Sequence, residues 1–470
     1  MSTEKRPAMN ANDLILDIDL LRRFDKPGPR YTSYPTADRF VAAYDAQTHR
    51  RTLETRRLQA GRRGLSLYVH LPFCNTVCYY CACNKVVTRD HSRSAKYLRY
   101  LEREMDLVTD IIGRGQRIDQ LHWGGGTPTF LGNEEIRQLM QMLKSRFEFS
   151  DGGEYSIEID PRTVDAEKMA ILGEVGFNRI SVGVQDFDPV VQKAVNRLQS
   201  FEVTENAIQA ARANGCKSVN VDLIYGLPLQ TPHRFGTTLA KVLQLMPDRI
   251  ALYNYAHLPA LFKPQRRIHE ADLPDAATRI ELLKLAVRVL RGAGYRYIGM
   301  DHFARPDDEL AKAQELGHLH RNFQGYSTRA ESDLLAFGVS AIGAVGPTYS
   351  QNVKELSEYY DLLDQNILPV MRGIELNADD VVRRSVIQSL MCHFALSIET
   401  IEQSYLIKFD KYFAPELEAL REYIDLGLVE IEDGWLSIRP KGRWFVRAIC
   451  MVFDRYLRQS EERARYSKVV

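Results

Sequence analysis

The chain has 470 residues, enough for two or three domains, and 45% of them are hydrophobic, as in globular proteins with large cores. Its 62 basic and 61 acidic residues leave a formal charge of +1, so no global basic field exists to attract nucleic acid. No stretch approaches the roughly 18 uninterrupted apolar residues of a membrane span, and the N-terminal MSTEKRPAMNANDLILD lacks the apolar core of a signal peptide; the expectation is a cytoplasmic protein with no membrane span.

Residues 1–60 read as an N-terminal extension. Its segment KPGPRYTSYPT, from Lys26 to Thr36, holds three prolines in eleven residues and is expected to be extended, polyproline-like chain. His49 to Arg63 has a helical pattern with seven basic residues, counting the histidine, which suits a solvated face or contact with an anion. From Leu65 onward short apolar runs alternate with amphipathic ones. Strands are predicted at Ser66–Leu71, Gln120–Trp123, Tyr155–Asp160, Arg179–Val184, Ser218–Gly226 and Arg249–Ala256, with helices between them such as Glu134–Phe147 and Asp165–Gly173. Strands separated by helices imply right-handed crossovers and a parallel sheet. The predicted fold is therefore α/β: a partial (β/α)6 TIM-like barrel over residues 61–375, including the segments that follow the barrel and cover the substrate.

Chemistry in such a barrel belongs at the C-terminal strand ends. The cysteine loop, Gly124–Thr127, Glu158, Gln185, Asp222 and Ala256 all fall at or near those ends. Leu334 to Pro347 is the longest weakly polar run; it carries three glycines and is too short to span a membrane. Residues 376–470 read as a mostly helical, winged-helix-like C-terminal domain. Helices are expected at Asp379–Phe394 and Phe413–Leu426, then a hairpin turning at Asp433-Gly434, then one last helix through WFVRAICMVFDRYLRQ. Mixed charge there argues for a lid or docking role over DNA binding. Cys216, Cys392 and Cys450 stand alone in apolar segments and are expected in the core.

Cys74, Cys78, Cys81 and Cys83 fall within ten residues, the first three spaced C-x3-C-x2-C. Thiolates packed that closely are poor disulfide partners and good metal ligands. Three ligands on a four-iron cluster leave one iron open, where S-adenosylmethionine can bind through its amino and carboxylate groups and be cleaved to a 5′-deoxyadenosyl radical. A zinc site is the alternative, though zinc motifs usually use two separated pairs. Cys83 is close enough to be a fourth ligand, but that would close the open iron, so it is expected near the cluster and unligated. Three glycines after a strand, in LHWGGGTPT, allow close backbone approach to a ligand. Glu158 and Asp222, carboxylates with apolar neighbours, need partners, either structural cations or ligand hydroxyls and ammonium. Gln185 and Arg197 are near enough in sequence to serve the same pocket.

The motifs PRYTSYPT, YVHLPFC, CxxxCxxCxC, HWGGGTPT, IEIDPR, VGVQDF, VNR, DLIYGLP, NYAHLP, GMDHFARPDDEL, HRNFQGYST and GVSAIG, from about Gly28 to the C-terminal helix, together resemble the oxygen-independent coproporphyrinogen III oxidases (dehydrogenases) of the radical S-adenosylmethionine superfamily. The resemblance implies an oxidoreductase of haem biosynthesis. It would oxidatively decarboxylate two propionates of coproporphyrinogen III to vinyl groups, without oxygen, giving protoporphyrinogen IX. It implies a [4Fe-4S] cluster on Cys74, Cys78 and Cys81. One S-adenosylmethionine would lie on Tyr68, Gly125, Glu158, Ala256 and Ile342. A second would lie on Tyr80, Gly126, Thr127, Gln185, Arg197 and Asp222; Tyr80 departs modestly from a phenylalanine also familiar there. A low-potential electron-donor protein is the implied partner, and a monomer is expected because no heptad or exposed apolar helix stands out. The tetra-anionic substrate calls for cations, with Arg30, Arg266, Arg267, Arg305 and Arg321 as candidates and Tyr31 and His302 beside them. Some relatives look like haem-binding chaperones, but those usually carry an aromatic residue in place of Cys83 and lack PRYTSYPT.

Overall fold

The computed structural model describes residues 17–24, 27–58, 64–329 and 332–458. The charged N-terminal segment before Asp17, Lys26 of the proline-rich stretch, the end of the predicted basic helix and the last residue of the predicted final helix lie outside the described residues. The chain divides into two compact units: a larger one from Thr36–Ala286 and Arg329–Asn377, and a smaller one from Met1–Pro35, Val287–Thr328 and Ala378–Val470. The 1–60 extension expected from sequence is thus not a body of its own. Its first part belongs to the smaller unit because the Phe24 ring stacks on Tyr423 at 5.0 Å and lies 5.4 Å from Phe445. Its later part, with the helix Ala46–Leu58, belongs to the larger unit.

In the larger unit each predicted strand is present: β1 (Leu65–Leu71), β2 (Gln116–Gly125), β3 (Phe147–Ile159), β4 (Arg179–Gln185), β5 (Ser218–Tyr225) and β6 (Arg249–Asn254). They lie side by side in chain order and run parallel. In β1 only Tyr68 is less than fully buried, as expected for a parallel strand covered on both faces. Helices join them, including Ser92–Ile112, Asn133–Lys144 and Ala166–Val175. The last begins where Asp165 accepts the Lys168 amide at 2.8 Å, a side-chain N-cap. A seventh parallel strand, Asp333–Phe337, pairs with the other edge of β1. Three antiparallel strands follow it: Ile342–Val345, Thr348–Asn352 and Val370–Glu375. Of the three glycines in the weakly polar run Leu334–Pro347, Gly338 and Gly346 sit in turns between these short strands and Gly343 lies within the first of the antiparallel ones.

The smaller unit contains the expected helices as Ala378–His393 and Ala414–Asp425, and the hairpin Val429–Glu432 with Trp435–Ile438. Asp433 and Gly434 turn it with φ of 50° and 77°, the twist that suits a two-residue hairpin. A third strand, Ala395–Ser397, completes the small sheet. The expected single final helix is instead broken into Pro440–Phe445, Val446–Val452 and Arg455–Arg458. The break falls at Asp454, whose carboxylate accepts the amides of Tyr456 (2.9 Å) and Leu457 (3.4 Å) and so restarts the helix. Cys392 and Cys450 are buried as expected, whereas Cys216 is half-buried, in the turn before β5. Among the described residues no helix is long and apolar enough to cross a membrane.

Candidate active site

β1 ends at Leu71, and the chain turns through Phe73–Cys74 into the cysteine loop. This loop is pinned from one side by the turn that follows the short helix Pro189–Ala194, after β4. The Tyr79 amide donates to the Val195 carbonyl at 2.9 Å, and the Asn196 side chain donates to the Val77 carbonyl at 2.7 Å. From below, Tyr79 and Tyr80 pack on a buried cluster of Val191, Val195, Ile224, Leu227, Tyr255 and Ile268. His70 holds the far end of the loop: its Nε2 lies 3.0 Å from the Asn84 carbonyl and its Nδ1 3.1 Å from the Tyr68 hydroxyl.

A cavity of about 490 Å³ opens over this loop. Its walls carry Cys74, Cys78, Cys81 and Cys83, and also Tyr80, Gly125, Gly126, Thr127, Glu158, Gln185, Arg197 and Asp222. Eleven sequence-predicted residues therefore meet in one cavity, with Cys83 beside them. Tyr68, Ala256 and Ile342 are not among the lining residues. Tyr68 lies beneath, its ring stacked on His122 at 5.9 Å. The Ala256 carbonyl accepts from Gln265 at 3.2 Å, and Ile342 opens an antiparallel strand. Asp222 sits inside β5, not at its end, and lines the cavity.

The glycines are required by close approach. A Cβ on Gly126 would lie 2.6 Å from the Pro72 carbonyl group, and one on Gly125, at φ +114°, would lie 2.7 Å from the His70 ring. The Gly125 amide donates to Glu158 at 3.2 Å, and His122 lies 3.3 Å from the same carboxylate. Asp222 accepts from Ser181 at 3.0 Å and from Asn220 at 2.8 Å. Burial, then the charge of Glu158, pushes its carboxyl up to about 7. Gln185 adopts a left-handed φ of 67° at a register shift between β4 and β5, the kind of strain held at binding sites.

Asp160 and Arg162 also line the cavity and are not among the residues the sequence singles out. Asp160 takes a guanidinium from each side, Arg197 at 3.0 Å and Arg162 at 2.6 Å. Burial raises its carboxyl, but these two charges outweigh burial and hold it below the ordinary carboxylate range. His70 and His122 could have been read from the period-two pattern, since Tyr68/His70 and His122/Gly124 share faces of adjacent strands.

The donor set suits an iron–sulfur cluster. The Thr127 hydroxyl donates to the Cys74 sulfur at 3.4 Å and Arg197 to the Cys78 sulfur at 3.6 Å, interactions that favour thiolate. Burial pushes the Cys74 thiol up to about 11, whereas the hydrogen bond with Cys83 and the nearby Lys85 ammonium pull Cys81 down. Among the described residues no three such side chains converge on a single-ion site. A cluster does not need that convergence, because its thiolates bind separate irons.

Of the substrate candidates, Arg30, Tyr31, His302, Arg305 and Arg321 lie in the smaller unit and Arg266 and Arg267 in the larger. Arg266 is exposed and donates to the Pro259 carbonyl at 3.0 Å, Arg267 lies 5.3 Å over the Tyr79 ring, and Arg305 pairs with Asp307 at 3.2 Å. Arg30 pairs with Asp301, Tyr31 donates to Asp454 at 3.0 Å, and the His302 ring meets Tyr326 edge-on at 5.2 Å.

Parallel strands in barrel order, with a three-cysteine loop after β1 and a glycine loop after β2, define a radical S-adenosylmethionine protein, and the Radical SAM superfamily model matches residues 68–242. The HemN C-terminal domain model matches residues 376–445. A Pseudomonas aeruginosa protein named oxygen-independent coproporphyrinogen III oxidase is 51% identical over 97% of this chain and 98% of its own. The Escherichia coli protein of that name is 45% identical over 98% and 100%. The solved structure described as coproporphyrinogen III oxidase (HemN) from Escherichia coli, a radical SAM enzyme, superposes with a TM-score of 0.89 at 44% identity, covering 94% of this chain and 100% of that one. The chain belongs to the oxygen-independent coproporphyrinogen III oxidase family.

Proposed function

We propose that this chain converts coproporphyrinogen III to protoporphyrinogen IX by oxidative decarboxylation of two propionates without oxygen. The observation that carries the reading is the convergence of three cysteines, the glycine loop, Glu158, Arg197 and Asp222 on one cavity at the C-terminal end of the parallel strands. When bound, the [4Fe-4S] cluster and S-adenosylmethionine supply a 5′-deoxyadenosyl radical that takes hydrogen from the substrate. Cys74, Cys78 and Cys81 hold the cluster. The Gly125–Thr127 backbone, with Glu158, offers hydrogen bonds to the ammonium end of the cofactor. The Asp160–Arg197 pair fixes a cation beside Cys78. A second S-adenosylmethionine fits Tyr80, Gly126, Thr127, Gln185, Arg197 and Asp222, which line the same cavity.

A low-potential electron-donor protein serves the cluster, and the protein works as a cytoplasmic monomer that binds no nucleic acid; the near-zero net charge supports the last point. The test is anaerobic. Reconstituted protein is incubated with coproporphyrinogen III, S-adenosylmethionine and dithionite, and both protoporphyrinogen IX and 5′-deoxyadenosine accumulate. Absence of both products, with haem bound stoichiometrically instead, overturns the reading in favour of a haem carrier.

A further inference from the structure

The smaller unit gathers three guanidinium groups around the segment Gly28–Tyr31. Arg447 is 5% exposed; its Nε donates to the Pro29 carbonyl at 3.0 Å and its Nη2 to the Gly28 carbonyl. Arg321 is 3% exposed; its Nε reaches the Arg30 carbonyl at 3.4 Å and its guanidinium lies 4.9 Å over the Tyr326 ring. Its Nη1 has no hydrogen-bond partner among the described residues. Arg30 pairs with Asp301. Asp454 accepts from the Tyr31 hydroxyl at 3.0 Å.

Cationic crowding is felt at Arg447, which burial, and then the charges of Arg30 and Arg321, pull down to about 9. The ion pair is also flanked by strained backbone: Tyr31 has φ 45° and Met300 has φ 52°, left-handed values that large side chains rarely adopt. A buried guanidinium with an orphaned donor, next to two further guanidiniums, is an arrangement that costs stability unless an anion completes it.

We propose that this cluster is a carboxylate-binding site in which Asp301 is a stand-in counter-ion. A propionate carboxylate of the substrate displaces Asp301 from Arg30 and also accepts from Arg321 Nη1. Arg447 is a positioning residue that holds the backbone carrying Arg30. The propionate adds one negative charge to the three guanidiniums, and the displaced Asp301 carboxylate, which is partly exposed, turns to water; no bond is made or broken. The proposal rests on the porphyrinogen reading above and adds which groups meet a propionate.

The sign of one substitution separates this role from a purely structural ion pair. Asp301→Asn removes the internal competitor, so the KM for coproporphyrinogen III falls about threefold, because more of the protein has Arg30 available. Arg321→Lys keeps the charge and loses the fork; KM rises about tenfold, equivalent to one charge-assisted hydrogen bond. Arg447→Lys loses one of its two carbonyl contacts and raises KM in the same sense. In each case the change falls on KM and not on kcat. Steady-state kinetics of the reconstituted holoenzyme, with thermal unfolding as a control for folding, read these out. A raised or unchanged KM in folded Asp301→Asn overturns the proposal. If that variant does not fold, an unchanged KM in Arg321→Lys does so. Wild-type protein with no coproporphyrinogen III turnover instead overturns the underlying function, so the two failures are distinguishable.

Discussion

Glu104, on the helix Ser92–Ile112, is 2% exposed and braces the floor of the larger unit. Its carboxylate accepts the Gly338 amide at 2.7 Å, the Asn352 side chain at 2.7 Å and the Tyr359 hydroxyl at 2.6 Å. Burial is the dominant influence and lifts the carboxyl from 4.5 to about 7, against those hydrogen bonds. Because the folded value lies above the unfolded one, ionisation is disfavoured in the fold. The stability held with the acid protonated is complete below pH 4.5, falls as pH rises from 4.5 to 7, and stays lost above. At 1.36 kcal/mol per unit, the loss is about 3 kcal/mol in full, most of it between pH 5 and 7. Glu104→Gln cannot ionise. Its amide turns a donor toward Asn352 or Tyr359, a pH-independent cost of about 1–2 kcal/mol. Urea unfolding of the apoprotein across pH 5–8 should therefore show the variant weaker than wild type at pH 5, gaining on it up to about pH 7 and levelling off by pH 8. A difference between the two that does not change with pH refutes the reasoning. It would mean that three donors solvate the carboxylate as well as water does.

Gly126→Ala places a Cβ 2.6 Å from the Pro72 carbonyl group, against backbone that cannot yield without moving the cysteine loop; iron and sulfide content after reconstitution should fall severalfold while far-UV circular dichroism is kept. Cys81→Ser should lose most cluster iron and Cys83→Ser little, and equal loss in both would make Cys83 a ligand and remove the open iron. Arg197→Lys cannot span Asp160, the Gly183 carbonyl and the Cys78 sulfur together, so the affinity for S-adenosylmethionine, read by equilibrium dialysis, should drop about tenfold or more.

Much of the site was legible because its residues sit at fixed offsets within single strands and the loops that follow them. Cysteine spacing, three glycines at the end of β2 and carboxylates in β3 and β5 are local features that side-chain type and position show directly. Asp160 was less legible. Its role depends on Arg197, 37 positions away, and no local pattern announces that pair. His70 and His122 had the right period but looked like ordinary strand residues until their partners, Asn84 and Glu158, came within reach.

What the sequence by itself determined is the alternation of strands and helices over β1–β6 and the chemistry of the cysteine loop, since both follow from burial periodicity and side-chain type over a few residues. The tertiary structure decided the rest. It made Asp333–Phe337 a parallel partner of β1 and broke the last helix at Asp454. It also built the smaller unit from three separated stretches of chain, bringing Arg30, Asp301, Arg321 and Arg447 together. Contacts between residues hundreds of positions apart are set by how apolar faces pack and which buried charges must find partners, and neither leaves a periodic trace in the sequence.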